Sequence, residues 1–211
     1  MAKKVIPIVI AMCVAGAYTL STRKVAYGTY ESGVFRHPHF GLTLQLPRDW
    51  YVMSDAEKDT VLDASAAQCG GMLAEAEQRT ALLLVATRYP PGEMQEEPNC
   101  MLMCGAEKLP WFSGVGTGAE YLARARENFD PSKFKAPGIG GIDLAEKTCS
   151  RTLGGLPFEV LDVSISCGFL TLTQRYYATV TAGNALFFVL TFFTDQDESD
   201  LKDILAGMKF E

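Results

Sequence analysis

Four consecutive segments in the second half of the chain constrain the fold most. They are residues 142–153, 157–167, 170–180 and 185–194. In the second segment the apolar residues Leu161, Val163 and Ile165 recur at every second position, which is typical of a strand with one buried face. Gly183-Asn184 separates the last two segments as a tight turn. The pattern predicts a meander of antiparallel strands.

The remaining elements place helices around this meander. Residues 80–89 form a continuous apolar run and are predicted to be a central strand, like residues 185–194. Capping-box patterns beginning at Ser54 and Thr117 predict helix starts, and a terminal helix is predicted to open at Asp197. Strands and helices do not alternate as in a parallel sheet. We therefore expect an α+β fold, an antiparallel β-sheet with helices on its faces.

The N-terminal residues have the three parts of an export signal. Lys3 and Lys4 precede an apolar run, and Ala15-Gly16-Ala17 supplies small residues for cleavage. We expect residues 1–17 to be a cleaved signal peptide and residues 18–211 to form one domain, periplasmic or otherwise extracytoplasmic. The alternative is an uncleaved anchor made by residues 5–20, which a thinned bilayer would accommodate.

The charge of the chain limits its partners. The formal net charge is −6 at pH 7, and an acidic surface disfavours nucleic acid and anionic membrane surfaces as primary partners. We expect no nucleic acid ligand, and contact with a membrane only through the N-terminal segment if that segment is retained.

Five cysteines remain if the signal is removed, because Cys13 leaves with it. They are Cys69, Cys100, Cys104, Cys149 and Cys167. Cysteines of exported proteins usually pair, and an odd number leaves at least one free. We expect one disulfide among Cys100, Cys104, Cys149 and Cys167, with its pairing open. The alternative is that several are small buried apolar residues.

Two short motifs are candidates for a functional site. His37-Pro38-His39 contains both histidines of the chain, and two imidazoles so close together could bind copper or zinc; the alternative is a surface turn. Trp111 and Phe112 follow Pro110 in a glycine-rich stretch and are a candidate contact for a partner. Packing of Trp111 under the following helix is the alternative.

The order of elements, together with two sequence blocks, resembles the PsbP-like fold. The first block runs from Phe40 to Trp50 and is an amphipathic strand that closes on Leu-Pro and a tryptophan. The second contains Gln174-Arg175-Tyr176-Tyr177 and the segments up to Phe210. The group includes PsbP of photosystem II and the bacterial periplasmic protein DcrB.

The resemblance implies an αβα sandwich that acts by binding proteins rather than by catalysis. We therefore expect a non-enzymatic accessory module without a cofactor, acting on a protein partner or an envelope complex. A metal-binding protein and a secretion adaptor or chaperone are the alternatives. The oligomeric state stays open.

Overall fold

A computed structural model of the chain describes residues 25–68, 80–92, 98–127 and 139–211. The expected signal peptide at residues 1–17, the alternative anchor at residues 5–20 and Cys69 lie outside these ranges. Within the described ranges, no helix has both the length and the apolar character needed to cross a bilayer.

The described residues form strands, helices and one short 3₁₀ turn at Pro38–Phe40. The strands are β1 (Thr29–Glu31), β2 (Val34–His37), β3 (Leu42–Gln45), β4 (Tyr51–Val52), β5 (Thr80–Thr87), β6 (Met101–Lys108), β7 (Ile139–Leu144), β8 (Cys149–Leu153), β9 (Leu156–Cys167), β10 (Leu170–Thr181), β11 (Asn184–Phe192) and β12 (Lys209–Phe210). The helices are α1 (Asp55–Gln68), α2 (Gly118–Arg126) and α3 (Asp195–Ala206).

The strands are arranged in two sheets. The larger has the order β4-β5-β6-β11-β10-β9-β7, with β8 also paired to β9, and the smaller has the order β1-β2-β3-β12. Neighbouring strands are antiparallel. Strand β11 lies in the middle of the large sheet and every one of its residues is buried, as its apolar sequence predicts.

The large sheet has a hydrophobic core on each face. Helices α1 and α2 supply Leu62 and Leu122 to one core, and α3 supplies Leu201 to the other together with the small sheet. Successive residues of a strand point to opposite faces; accordingly, Tyr176 belongs to the first core and Tyr177 to the second. The α+β class, with helices on the faces of an antiparallel sheet, is confirmed.

One predicted strand is divided in the structure. Residues 142–153 contribute to both β7 and β8, because Leu144 pairs with Val163 whereas Cys149 pairs with Val160. Between these two pairs, the segment that joins β7 to β8 has two more residues than the part of β9 opposite it. The segment therefore loops out at the sheet edge. Strands β1 and β2 form a hairpin, whose turn at Ser32 and Gly33 has positive φ at both positions.

The terminal helix starts two residues earlier than predicted. The side chain of Thr194 accepts a hydrogen bond from the backbone of Asp197, and the Asp197 carboxylate accepts one from the backbone N–H of Thr194 in return. Asp197 is therefore the third helical residue of a capping box rather than the first.

Strand β5 lies next to a very short edge strand, because β4 pairs only with Thr87 and Ala86. Further along, the backbone N–H of Met53 donates to the carbonyl oxygen of Val85 at 2.9 Å. The ammonium group of Lys58 then donates to the carbonyl oxygen of Leu83 at 3.0 Å. Lys58 is buried, and its charge is balanced by Asp55 at 2.7 Å and by the ring of Tyr27 beneath it.

Candidate functional site

Trp111 and Phe112 project from the segment between β6 and α2. Trp111 is 92% exposed and Phe112 is 41% exposed, and their rings meet edge to face with centroids 5.4 Å apart. Trp111 therefore does not pack under α2, which was the alternative to an exposed contact. We call residues 109–117 the aromatic loop.

The aromatic loop is held in place by backbone and side-chain hydrogen bonds. At its start, the backbone N–H of Leu109 donates to the carbonyl oxygen of Gly183 at 3.1 Å. At its apex, the N–H of Ser113 donates to the carbonyl oxygen of Pro110 at 2.9 Å, and Arg124 of α2 donates to the carbonyl oxygen of Ser113. The two aromatic side chains are thus carried on an ordered turn.

The end of the aromatic loop is also the start of α2. Thr117 and Glu120 form a reciprocal capping box, and a carboxylate oxygen of Glu120 accepts from the backbone N–H of Gly116 at 2.8 Å. This backbone bond is the main reason that the pKa of Glu120 is lowered. The glycine-rich stretch is a helix entry, and a side chain of the protein itself occupies the amides that an anion would need.

A cleft of about 530 Å³ borders the aromatic loop. Its apolar wall is formed by Leu109, Pro110, Trp111, Val115 and Val180. The cleft is open rather than enclosed, and Trp111 contributes to its wall while remaining almost fully exposed.

The first described residues lie at the same end of the molecule as the aromatic loop. The ring of His37 donates through Nε2 to the carbonyl oxygen of Ala26 at 2.8 Å, and the His37 and His39 ring centroids are 6.4 Å apart. Asn184 donates to Nε2 of His39 at 3.2 Å. Asn184 is paired with Lys108, the last residue before the loop. We call this side of the molecule, marked by Ala26, His39, Asn184 and the aromatic loop, the entry end.

The two histidines have different environments. His37 is 2% exposed, and burial lowers its pKa; its Nδ1 has no hydrogen-bond partner among the described residues. His39 is exposed and belongs to the 3₁₀ turn. Nε2 of each ring is already engaged, and the described residues contain no group of three or more His, Cys, Asp or Glu side chains that could hold a metal. Metal binding by His37 and His39 stays a prediction.

The four cysteines in the described ranges are free thiols, so the disulfide expected among them is not formed in the structure. Cys100 and Cys104 are buried, and burial raises the pKa of the Cys100 thiol to about 11. Cys149 faces Val160 on β9, whereas Cys167 lies at the far end of the same strand. The register thus keeps Cys149 and Cys167 apart.

The structure also reveals an exposed aromatic residue that we did not select from the sequence. Phe169 is 96% exposed in the turn between β9 and β10, directly after Gly168, which has a positive φ. In the sequence, Gly168 directly before Phe169 was the signal that could have indicated an exposed aromatic residue in a turn. Phe169 directly precedes β10, which runs from Leu170 to Thr181. Gly183, which accepts the hydrogen bond from Leu109 of the aromatic loop, lies just beyond the other end of this strand. Phe169 and the aromatic loop are therefore at opposite ends of the large sheet.

Comparison with known proteins supports the fold. No protein-family model and no curated protein matches the chain. Among solved structures, the chain is similar to cyanobacterial PsbP from Synechocystis, with a TM-score of 0.51 and 13% identity over 88% of this chain and 97% of that one. It is also similar to LpqN of Mycobacterium tuberculosis, described as involved in cell envelope biogenesis, with a TM-score of 0.45 and 14% identity over 80% of this chain and 82% of that one. The likeness to cyanobacterial PsbP shows that the antiparallel sheet with helices on its faces is a PsbP-like fold.

Proposed function

We propose that the chain is an exported, non-enzymatic accessory module of the cell envelope that binds a protein partner or an envelope complex. The export pattern at residues 1–17 supports the location. The observation that carries the binding role is the exposure of large aromatic side chains on ordered turns at both ends of the large sheet. These are Trp111 and Phe112 at the entry end and Phe169 at the other.

Exposed aromatic residues of this kind suit a binding role for two reasons. Tryptophan and tyrosine are enriched among the residues that dominate interface energetics, and phenylalanine is enriched at interfaces generally. A turn that is already ordered also loses less conformational entropy on binding than a flexible one. Leu109 and Ser113 fix the aromatic loop through their backbone bonds.

Site-specific photocross-linking in the native envelope tests this function. A photoreactive phenylalanine analogue is placed at position 111, 112 or 169, and a matched control carries it at Asp203, which is exposed on α3. We expect a discrete protein adduct from one of the aromatic positions and none from position 203. The absence of a protein adduct at all three aromatic positions would contradict the function. The identity of the captured protein separates an accessory role from a secretion adaptor, whose adduct would be an exported cargo.

A further inference from the structure

We propose that residues 5–20 stay in the membrane as the uncleaved anchor, which is the alternative to signal cleavage, and that the entry end docks on the same bilayer with Trp111 and Phe112 in the interfacial layer. This adds a second membrane contact to the N-terminal one expected from the sequence. The inference goes beyond the proposed function, because it assigns the occupant of one end of the molecule. The end that carries Phe169 then faces away from the membrane and is left for the protein partner.

The position of the chain entry is the first argument. The hydrogen bond between His37 and Ala26, and the one between His39 and Asn184, place the start of the described chain beside the strand ends that carry the aromatic loop. The apolar run ends at Leu20. The five residue steps from Leu20 to Val25 span at most about 18 Å. A bilayer that holds residues 5–20 is therefore close to the entry end.

The chemistry of the aromatic loop is the second argument. Residues 109–117 contain no charged side chain, and their tryptophan is 92% exposed. Tryptophan is enriched at the membrane–water interface, where its ring lies at the level of the headgroups. Lys108 and Arg124 lie on either side of the loop. Arg124 donates to the carbonyl oxygen of Ser113 and so stabilises the loop itself, which carries no charge of its own.

The state of the loop backbone is the third argument. Polar backbone groups that enter an apolar layer need partners within the protein. The N–H groups of Leu109 and Ser113 and the carbonyl oxygen of Ser113 already have such partners. The carboxylate of Glu120 is turned toward the amides of Gly116 and Thr117. These backbone groups can thus enter the interface with their hydrogen bonds intact.

A tether makes a weak contact sufficient. Two aromatic side chains alone bind a bilayer weakly, but a segment held in the same membrane raises their effective concentration at its surface. A protein groove is the other candidate occupant. Trp111 is almost fully exposed at the wall of an open cleft. A bilayer surface accommodates such a side chain directly, whereas a protein groove would have to enclose it.

Quenching of tryptophan fluorescence by brominated lipid tests the proposal. The full chain is reconstituted into protein-free phosphatidylcholine vesicles whose acyl chains carry bromine near the headgroup. The chain has two tryptophans, and Trp50 is buried. Subtracting the signal of Trp111→Phe from that of the unchanged chain therefore isolates Trp111. The control Trp111→Phe/Phe169→Trp places the reporter at the opposite end, at another exposed aromatic position.

We expect Trp111 to be quenched about threefold more strongly than the tryptophan at position 169. Exchange of Phe112 for Ser should weaken the quenching of Trp111. Equal quenching at the two ends, no quenching of Trp111, or a chain that stays in solution would each overturn the proposal. A loop that binds only protein would give one of the first two results.

The two proposals fail separately. Strong quenching of Trp111 without any protein adduct from positions 111, 112 and 169 supports the membrane contact and contradicts the proposed function. A protein adduct from position 111 with no quenching in vesicles supports the proposed function and contradicts the membrane contact.

Discussion

Arg175 of β10 holds Asp162 of β9 through two parallel hydrogen bonds, from Nε to Oδ1 at 2.6 Å and from Nη2 to Oδ2 at 2.9 Å. The remaining terminal nitrogen of Arg175 donates to Glu198 of α3. The guanidinium group also lies over the ring of Phe192 at 5.6 Å from its centroid. One side chain thus joins two strands of the large sheet to the terminal helix.

Replacing Arg175 with Lys keeps the charge but removes the planar fork that binds Asp162. We expect a loss of about 1–2 kcal/mol in the free energy of unfolding, measured by urea denaturation, since Asp162 is partly exposed. Lys202→Ala is the control, because Lys202 makes only a surface pair with Glu198 one helical turn away. That change should cost about 0.5 kcal/mol or less. Equal losses would show that the bidentate geometry contributes nothing.

Gly118 predicts an unusual response to alanine. Alanine stabilises a helix by about 1 kcal/mol relative to glycine. However, a Cβ atom at Gly118 would lie 2.1 Å from the carbonyl oxygen of Ala178, which belongs to the backbone of β10. We expect Gly118→Ala to destabilise the protein by about 2–4 kcal/mol in thermal or urea unfolding.

Gly116 provides the matched control for this substitution. A Cβ atom there would have only an ordinary contact with the Glu120 carboxylate at 3.7 Å. Gly116→Ala should change the stability by about 0.5 kcal/mol or less. A tolerated Gly118→Ala would mean that α2 does not approach β10 so closely.

Because the imidazole of His37 is buried, we expect the free energy of unfolding to decrease in mild acid. Burial lowers its pKa from the ordinary value of 6.5. Below pH 6.5, therefore, the unfolded chain takes up a proton that the folded chain does not. The free energy of unfolding should be fully retained above that pH and should decrease as the pH falls toward the lower pKa of the folded state.

The pH dependence of the variants assigns this effect. In His37→Gln, an amide can still donate to the carbonyl oxygen of Ala26, and the decrease between about pH 7 and pH 5 should be largely absent. His39→Gln should retain it, because His39 is exposed. If both variants kept the full decrease, another group would be responsible.

The thiols predict an order of chemical modification. Cys149 is exposed, whereas Cys100 and Cys104 are buried and burial raises the pKa of both thiols. Because the thiolate is the reactive form, maleimide should modify Cys149 first and the other two only after unfolding in urea, as followed by peptide mass spectrometry. A peptide containing a disulfide between Cys100 and Cys104 would contradict the free-thiol state.

The fold could be predicted where one local pattern dominated. The alternation along Leu161, Val163 and Ile165 predicted strand β9, and the Thr117–Glu120 pattern predicted the start of α2. Both are short-range effects, since burial of one strand face and capping of a helix depend on residues within a few positions of each other.

Features set by tertiary register were not predictable in the same way. The division of β7 from β8 depends on which residues of β9 they pair with, and it leaves the pattern of residues 142–153 nearly unchanged. The environment of His37 depends on Ala26, eleven residues earlier, and on the small sheet. The exposure of Phe169 follows from a hairpin turn extending beyond both cores.

Lys58 also has a consequence for how the protein behaves in concentrated solution. Strand β5 has the sequence TALLLVAT, every residue of which is buried. A run of this composition readily recruits strands from other molecules if its outer edge is open. The ammonium group of Lys58 occupies the carbonyl oxygen of Leu83 and is itself paired with Asp55. An incoming strand would have to displace this ammonium group, which makes its docking there costly. Among the described residues, the ammonium group of Lys58 therefore protects this edge and disfavours intermolecular sheet growth at a strand that is buried along its whole length.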